Sequence, residues 1–243
     1  MSADLRLRVL SLFAGIGGID LGLERAGGFV AAAFCERAEF QQRVLRKHWK
    51  DVPIYDDVCA LTAGRLAADG ISVDVVAGGF PCQPFSTASR GRRVAIDRWP
   101  EMLRIVGELC PRYVIAENVS EKAIANAAGD LAQLGYRTDH RCISADAAGA
   151  DHQRDRWWLC AHPHDEGEFR RALDAEVAQL PALCRGLWGP GNYARAVRVP
   201  DGVPNRMDRL ISLGNAVIPA IPEAIGRAIN VTLAAPKDRH HAA

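Results

Sequence analysis

A cysteine framed by prolines and glycines is the most reactive-looking feature of this sequence. Gly78-Gly79-Phe80-Pro81-Cys82-Gln83-Pro84-Phe85-Ser86 follows the apolar run Val73-Asp74-Val75-Val76-Ala77. Such a run reads as a buried strand, which puts Cys82 in a loop just past a strand end. Paired glycines open backbone geometries closed to other residues, and the two prolines fix φ on either side of the thiol. Most free cysteines are buried and inert. Here the backbone presents the thiol instead, as a nucleophile requires. A second apolar run, Tyr113-Val114-Ile115-Ala116, ends in Glu117. Two strand tips facing one crevice are how an α/β enzyme usually assembles its site, although a Glu at a strand end can also be a plain turn residue. In His152-Gln153-Arg154-Asp155-Arg156 alternating arginines run into a third apolar stretch, so Arg154 and Arg156 should leave one strand on the same side. A salt-bridged edge strand has the same spacing.

A ligand-binding loop is expected near the N-terminus. Leu7 to Phe13 reads as a first strand, and Ala14-Gly15-Ile16-Gly17-Gly18 then opens a helix carrying Ile19, Leu21, Leu23 and Ala26 that stops at Gly27-Gly28. In doubly wound sheets ligands lie beyond the carboxyl ends of the strands, where such turns let them approach the backbone. The dinucleotide pattern wants a third glycine where Asp20 stands, which argues against a pyrophosphate loop. The next apolar run, Phe29 to Cys35, ends in Glu36, a carboxylate placed to accept from ribose hydroxyls or to serve the start of the following helix. Asp57, after the short strand at Ile54-Tyr55, can take an adenine amino group or cap the next helix.

Stepping between these residues are helices over Ala38 to Trp49, up to Gly70, Pro100 to Cys110, Glu121 to Leu134, about Glu168 to Leu180, Arg206 to Leu213 and Ala220 to about Leu233. A weak strand is expected over Tyr136 to Ile143. Thr87 to Arg98 has no periodicity and suits a mobile lid, and Lys237 to Ala243 suits a disordered tail. Strands alternating with helices predict an α/β fold, a doubly wound sheet with helices on both faces. At 243 residues the chain can bury one substantial core. A net charge of +1 gives no overall pull on a polyanion, so any nucleic-acid surface has to come from clusters such as Arg90, Arg92, Arg93 and Arg98. Seven cysteines without a Cys-x-x-Cys pair predict neither a disulfide framework nor a metal site. With no signal-type N-terminus and no uninterrupted apolar run long enough for a bilayer, a cytoplasmic location is expected.

Phe13-Ala14-Gly15-Ile16-Gly17-Gly18, Glu36, Asp57, Gly79-Phe80-Pro81-Cys82-Gln83, Glu117-Asn118-Val119, Arg154-x-Arg156 and Gly214-Asn215-Ala216 together resemble, in order and spacing, the DNA (cytosine-5)-methyltransferase family. Asp97 to Met102 and Pro204 to Leu210 look most like the short phage- and prophage-borne members. The resemblance implies a Rossmann-like methyltransferase sheet whose catalytic domain, 1–160, is completed by 205–235. It also implies a much reduced small domain, with 161–204 as an abbreviated target-recognition segment and 236–243 as a tail. S-adenosylmethionine, leaving as S-adenosylhomocysteine, would contact Phe13, Ala14, Gly15, Gly17, Glu36, Asp57, Val58, Gly79, Pro81 and Asn215. Cys82, Glu117 and Arg156 would be catalytic. Gln83, Ser86, Arg98 and Arg154 would serve double-stranded DNA, in a restriction-modification setting.

The implied chemistry is that Cys82 adds to carbon 6 of a cytosine flipped out of the duplex, Glu117 bonds ring nitrogen 3 and the exocyclic amine, and Arg156 holds the carbonyl oxygen. Carbon 5 then takes the methyl group and loses its proton. The short stretch between Arg156 and Asn215, where family members carry a long recognition domain, implies short or relaxed selectivity, or help from a partner subunit or second copy. Two alternatives belong beside this: a methyltransferase acting on RNA, and an inactive nucleic-acid-binding remnant.

Overall fold

The computed structural model describes residues 6–81, 97–149, 153–163, 166–183 and 206–235. Seven strands, β1 (Leu7–Leu12), β2 (Phe29–Cys35), β3 (Ile54–Tyr55), β4 (Val75–Gly79), β5 (Tyr113–Asn118), β6 (Arg137–Ser144) and β7 (Asp155–His162), form one sheet in the order β3-β2-β1-β4-β5-β7-β6. The first five pair in parallel, and β7 runs antiparallel between β5 and β6. Every residue of β5 is buried, and all but one in β1 and in β4, as expected of strands covered on both faces.

Helices close both faces, as the alternation of elements predicts. Against one face lie α1 (Gly18–Ala26), α6 (Glu166–Ala178), α7 (Leu180–Leu183) and α9 (Ala220–Ala234), whose Leu23, Phe169, Leu180 and Ile225 join Val9, Ala77 and Ile115 in one cluster. Against the other lie α3 (Ala63–Ala68), α4 (Trp99–Leu109) and α5 (Glu121–Gln133), packing Leu66, Met102, Ile105 and Leu131 on Leu10, Val76 and Val114. α2 (Glu39–His48) flanks β2 through Leu45, and α8 (Arg206–Asn215) precedes α9. Residues 1–5, the part of the expected lid from 87 to 96, the stretch 184–205 and the tail 236–243 lie outside the described residues.

Part of the stretch expected for target recognition contributes to the core. β7 runs on to His162, and Phe169 and Leu173 of α6 are buried in the α1/α9 cluster. Ile211–Ala234 has a mean hydropathy of 1.2 and is long enough to cross a membrane by composition, although no such run was expected. The chain breaks out of helix at 216–219, however, and α9 spends its apolar side on the sheet, with nine of its residues buried. A Cβ on Gly22 would lie 2.2 Å from the Pro219 carbonyl oxygen, so the absence of a side chain sets how closely α1 meets the start of α9.

Asp20, in the first turn of α1, is 2% exposed. Its Oδ2 accepts from the Ser11 hydroxyl at 2.9 Å, whereas Oδ1 has no protein partner. Burial pushes its carboxyl up from 3.8 to about 7. The folded state therefore holds this proton more tightly than the unfolded chain, and the stability it confers is lost as pH rises from about 4 through about 7. Thermal melts across that window should fall with pH, and Asp20→Asn should flatten the fall by at most about 4 kcal/mol. An unchanged slope in Asp20→Asn would contradict this assignment.

Candidate active site

The strand order reverses between β1 and β4, and the loops leaving their carboxyl ends diverge there. A cavity of roughly 830 Å³ occupies that place. Glu36, Asp57 and Val58 line one end, and Glu117, Asn118 and Arg156 line the other. Phe13 to Ile16 and Gly79 to Pro81 line the space between them, and Ser212, Asn215 and Val217 supply a further wall from the C-terminal part of the chain.

The glycine loop is held by a carboxylate. The Gly15 N–H donates to Glu36 Oε2 and the Ala38 N–H to Glu36 Oε1, both at 2.8 Å, which ties the loop after β1 to the tip of β2. Each oxygen keeps a second lone pair, so Glu36 can still accept from a ligand. Phe13 takes a φ of 53°, a left-handed conformation uncommon for a bulky side chain. Gly17, with φ 81°, has its Cβ position 2.5 Å from the Trp49 ring, so space and backbone both demand glycine there. Because Gly17 is the N-cap of α1, no side chain caps that helix, and its first residues, Gly18 and Ile19, line the cavity. Asp57 does not cap the next helix, whose N-cap is Thr62; its Oδ1 accepts from the Cys59 N–H at 2.9 Å within the turn before it, which holds its carboxyl below the usual range.

At the other end Glu117 is 8% exposed. Arg156 Nε lies 2.9 Å from Glu117 Oε1, but its N–H is not aimed for a hydrogen bond, so Oε1 keeps an open position. Burial pushes the Glu117 carboxyl up from 4.5 to about 7, against the pull of Arg156 and then Arg154. A carboxyl poised there can hold or release a proton near neutrality. Room for it comes from Gly79, where a Cβ would sit 2.7 Å from Glu117 Oε2. Asn118 has both ends engaged: its Nδ2 donates to the Phe80 carbonyl and its Oδ1 accepts from the Ser120 N–H, each at 2.9 Å. β5 is thereby fixed to the start of the cysteine loop.

Cys82, Gln83 and Ser86 lie outside the described residues. Pro81, immediately before Cys82, lines the cavity, and its carbonyl accepts from the Arg98 N–H at 3.3 Å, so the chain leaves and returns at one place. The Arg98 guanidinium is not at the Glu117 end; it donates to Cys59 Sγ at 2.9 Å, near Asp57. Arg154 donates from Nη2 to the Ala216 carbonyl at 3.0 Å, binding the strand with Arg156 to the Asn215 segment.

Ser212 carries no obvious sequence signal, and although Asn118 stands in the Glu117-Asn118-Val119 motif, its contact carries none. Ser212 is 5% exposed, lines the cavity and has an Oγ without a protein partner. Asn118 acts through a backbone carbonyl 38 positions away. Among the described residues no cluster of His, Cys, Asp and Glu could hold a metal ion. The arrangement can therefore seat an elongated polar ligand along the glycine loop and bring a second, planar group against an acid and a guanidinium.

The C-5 cytosine-specific DNA methylase family model matches residues 7–182. Among curated relatives, the Type II methyltransferase M.CviJI of Paramecium bursaria Chlorella virus IL3A is 31% identical over 166 residues, 65% of this chain and 43% of that protein. M2.BsuMI of Bacillus subtilis, another Type II methyltransferase, is 33% identical over 171 residues, 64% of this chain and 42% of its own. The chain thus spans under half the length of these relatives. A solved structure described as a candidate DNA modification methyltransferase encoded within a prophage (E. coli) shares the fold with a TM-score of 0.63 at 17% identity, over 93% of this chain and 99% of that one. The Dnmt2 protein of Spodoptera frugiperda does so with a TM-score of 0.55 at 14% identity, over 93% and 97%.

Proposed function

Because this chain belongs to the C-5 cytosine-specific DNA methylase family, we propose that it transfers a methyl group from S-adenosylmethionine to carbon 5 of a cytosine in DNA, through an adduct with Cys82. The observation that carries the proposal is the pairing of the buried Glu117 with Arg156 at one end of a cavity whose other end holds Glu36, the carboxylate that locks the glycine loop.

The residues present fit the cofactor. A nucleoside finds apolar cover in Phe13 and Val58 and an acceptor in Glu36, while the side-chain-free N-terminus of α1 and the unpartnered Ser212 hydroxyl suit a polar tail. When bound, S-adenosylmethionine supplies an electrophilic methyl group. A cytosine stacked in a duplex cannot reach the cavity, so the base is flipped into it.

Carbon 5 of cytosine is a poor nucleophile until the ring is activated. The Cys82 thiolate forms a bond to carbon 6, while Glu117 holds a proton on ring nitrogen 3 and Arg156 holds the carbonyl oxygen, so negative charge does not build up in the ring. The electrons released toward carbon 5 form its bond to the incoming methyl group. Loss of the carbon 5 proton to solvent then expels Cys82 and restores the aromatic ring. Gln83 and Ser86 are assigned to the DNA, whereas Arg98, bonded to Cys59, is assigned to the nucleoside end.

DNA is favoured over RNA by the Pro81-Cys82-Gln83 form. With so short a stretch between Arg156 and Asn215, recognition is short or relies on a second copy or partner. Relatives named as Type II methyltransferases suit a role in restriction-modification. The test is to incubate the purified protein with S-adenosylmethionine carrying a deuterated methyl group and either long mixed-sequence DNA or total RNA. Mass spectrometry of the nucleosides should show labelled 5-methyldeoxycytidine. Label confined to RNA, or on the exocyclic nitrogen, would overturn the assignment.

A further inference from the structure

Asp57 and Val58, at the nucleoside end of the cavity, belong to a short turn closed by the Ala60 and Leu61 N–H groups on the Asp57 carbonyl and touched by Arg98 through Cys59. The turn is held from outside by one side chain of α4. Arg104 Nη2 donates to the Val58 and Leu61 carbonyls, each at 3.0 Å. Its other nitrogens are fixed in turn: Nε donates to Glu101 at 3.0 Å and Nη1 to Glu108 at 2.6 Å. Glu108 then accepts from the Ala63 N–H at 2.8 Å, so both ends of the turn hang on the same pair. A planar guanidinium can point donors at four acceptors in fixed directions, whereas a lysine ammonium cannot reproduce that fork. Exposed ion pairs contribute little to stability. This one is two-thirds withdrawn from solvent and spends one nitrogen on two main-chain carbonyls, so its effect falls on the position of the backbone.

We propose that Arg104 is a positioning residue for the nucleoside end of the cofactor pocket: by holding the Val58 and Leu61 carbonyls it fixes the turn against which the purine lies. The inference rests on the proposed use of S-adenosylmethionine. Arg104 touches no ligand itself; it acts through Val58, whose side chain is buried against α4 and lines the cavity.

The experiment is calorimetric titration of the whole protein with S-adenosylhomocysteine, alongside thermal melts. Arg104→Met should weaken binding about tenfold, the size expected when charge-assisted bonds to a turn are lost. Turnover at saturating S-adenosylmethionine should stay within about twofold, so the effect appears in KM rather than kcat. Arg104→Lys should fall between the two proteins. Arg65→Met, which removes an exposed pair with Asp69, should leave binding unchanged. Arg104→Met that melts lower but binds S-adenosylhomocysteine like the wild type would overturn the proposal and leave Arg104 a purely structural tie. Should Arg104→Met not fold, Glu108→Gln is titrated in its place, and unchanged affinity there overturns it equally. A wild-type protein that binds no S-adenosylhomocysteine would remove the proposed function itself, and this inference with it.

Discussion

Replacing Cys82 with alanine is expected to abolish methyl transfer and to leave S-adenosylhomocysteine binding at its wild-type affinity. The methyl group reaches carbon 5 only if carbon 6 has first been attacked, and of the five described cysteines, Cys35, Cys59, Cys110, Cys142 and Cys160, only Cys35 lines the cavity. Cys35 and Cys160 are buried in the sheet with thiols pushed up by that burial, to about 12 for Cys35 and further for Cys160. Cys59 sits at the nucleoside end, bonded by Arg98. Loss of a nucleophile that works as a unit with its partners costs roughly a millionfold in rate. In the proposed reading cofactor binding draws on the Glu36-locked loop, on α1 and on Val58, none of which depends on the thiol. Labelled methyl incorporation by Cys82→Ala above background would sink the covalent route. Lost binding would mean instead that the cysteine loop is part of the cofactor pocket.

Glu117→Gln is expected to lower turnover by about two to four orders of magnitude, the usual worth of a positioned acid. Glutamine keeps the shape and can still donate a hydrogen bond, but it cannot place a proton on ring nitrogen 3. The pH profile separates these roles. The carboxyl titrates near 7 because burial disfavours its charged form, so the protonated acid is lost as pH rises through about 7 and the rate should fall on that side. In Glu117→Gln the fall near 7 should vanish. A fall of the same midpoint in the variant would assign it to another group.

Much of this site could be read from chain order because its residues stand where apolar runs stop. Glu117 follows Tyr113 to Ala116, and Glu36 follows Phe29 to Cys35; in the sheet both lie at carboxyl ends facing the same crevice. What stayed hidden are contacts between distant positions. Gly79 reads as a flexible loop residue, but what demands it is the carboxylate of Glu117 on the neighbouring strand. Arg154 pairs in spacing with Arg156, but its guanidinium ties Ala216, 62 positions on, and no periodicity encodes that distance. Arg98, placed by its charge among possible DNA contacts, is drawn to Cys59 by a fold that returns the chain beside Pro81. The resemblance set 161–204 aside as a recognition segment with a helix expected inside it; that Phe169 and Leu173 of this helix join the core beside α9 comes only from the packing. For Glu36, sequence left ribose acceptance and helix start as rivals, and the structure shows the second, with lone pairs to spare for the first.

The attack of Cys82 on carbon 6 is tested most directly with DNA in which cytosine is replaced by 5-fluorocytosine. Fluorine at carbon 5 cannot leave as a proton does, so the methylated adduct cannot break down. With S-adenosylmethionine present, the wild-type protein should form a complex with this DNA that survives denaturation, and peptide mapping should place the link at Cys82. Cys82→Ala should form none. A wild-type protein that methylates ordinary cytosine but leaves no denaturation-resistant complex, or one cross-linked through a different residue, would contradict the mechanism.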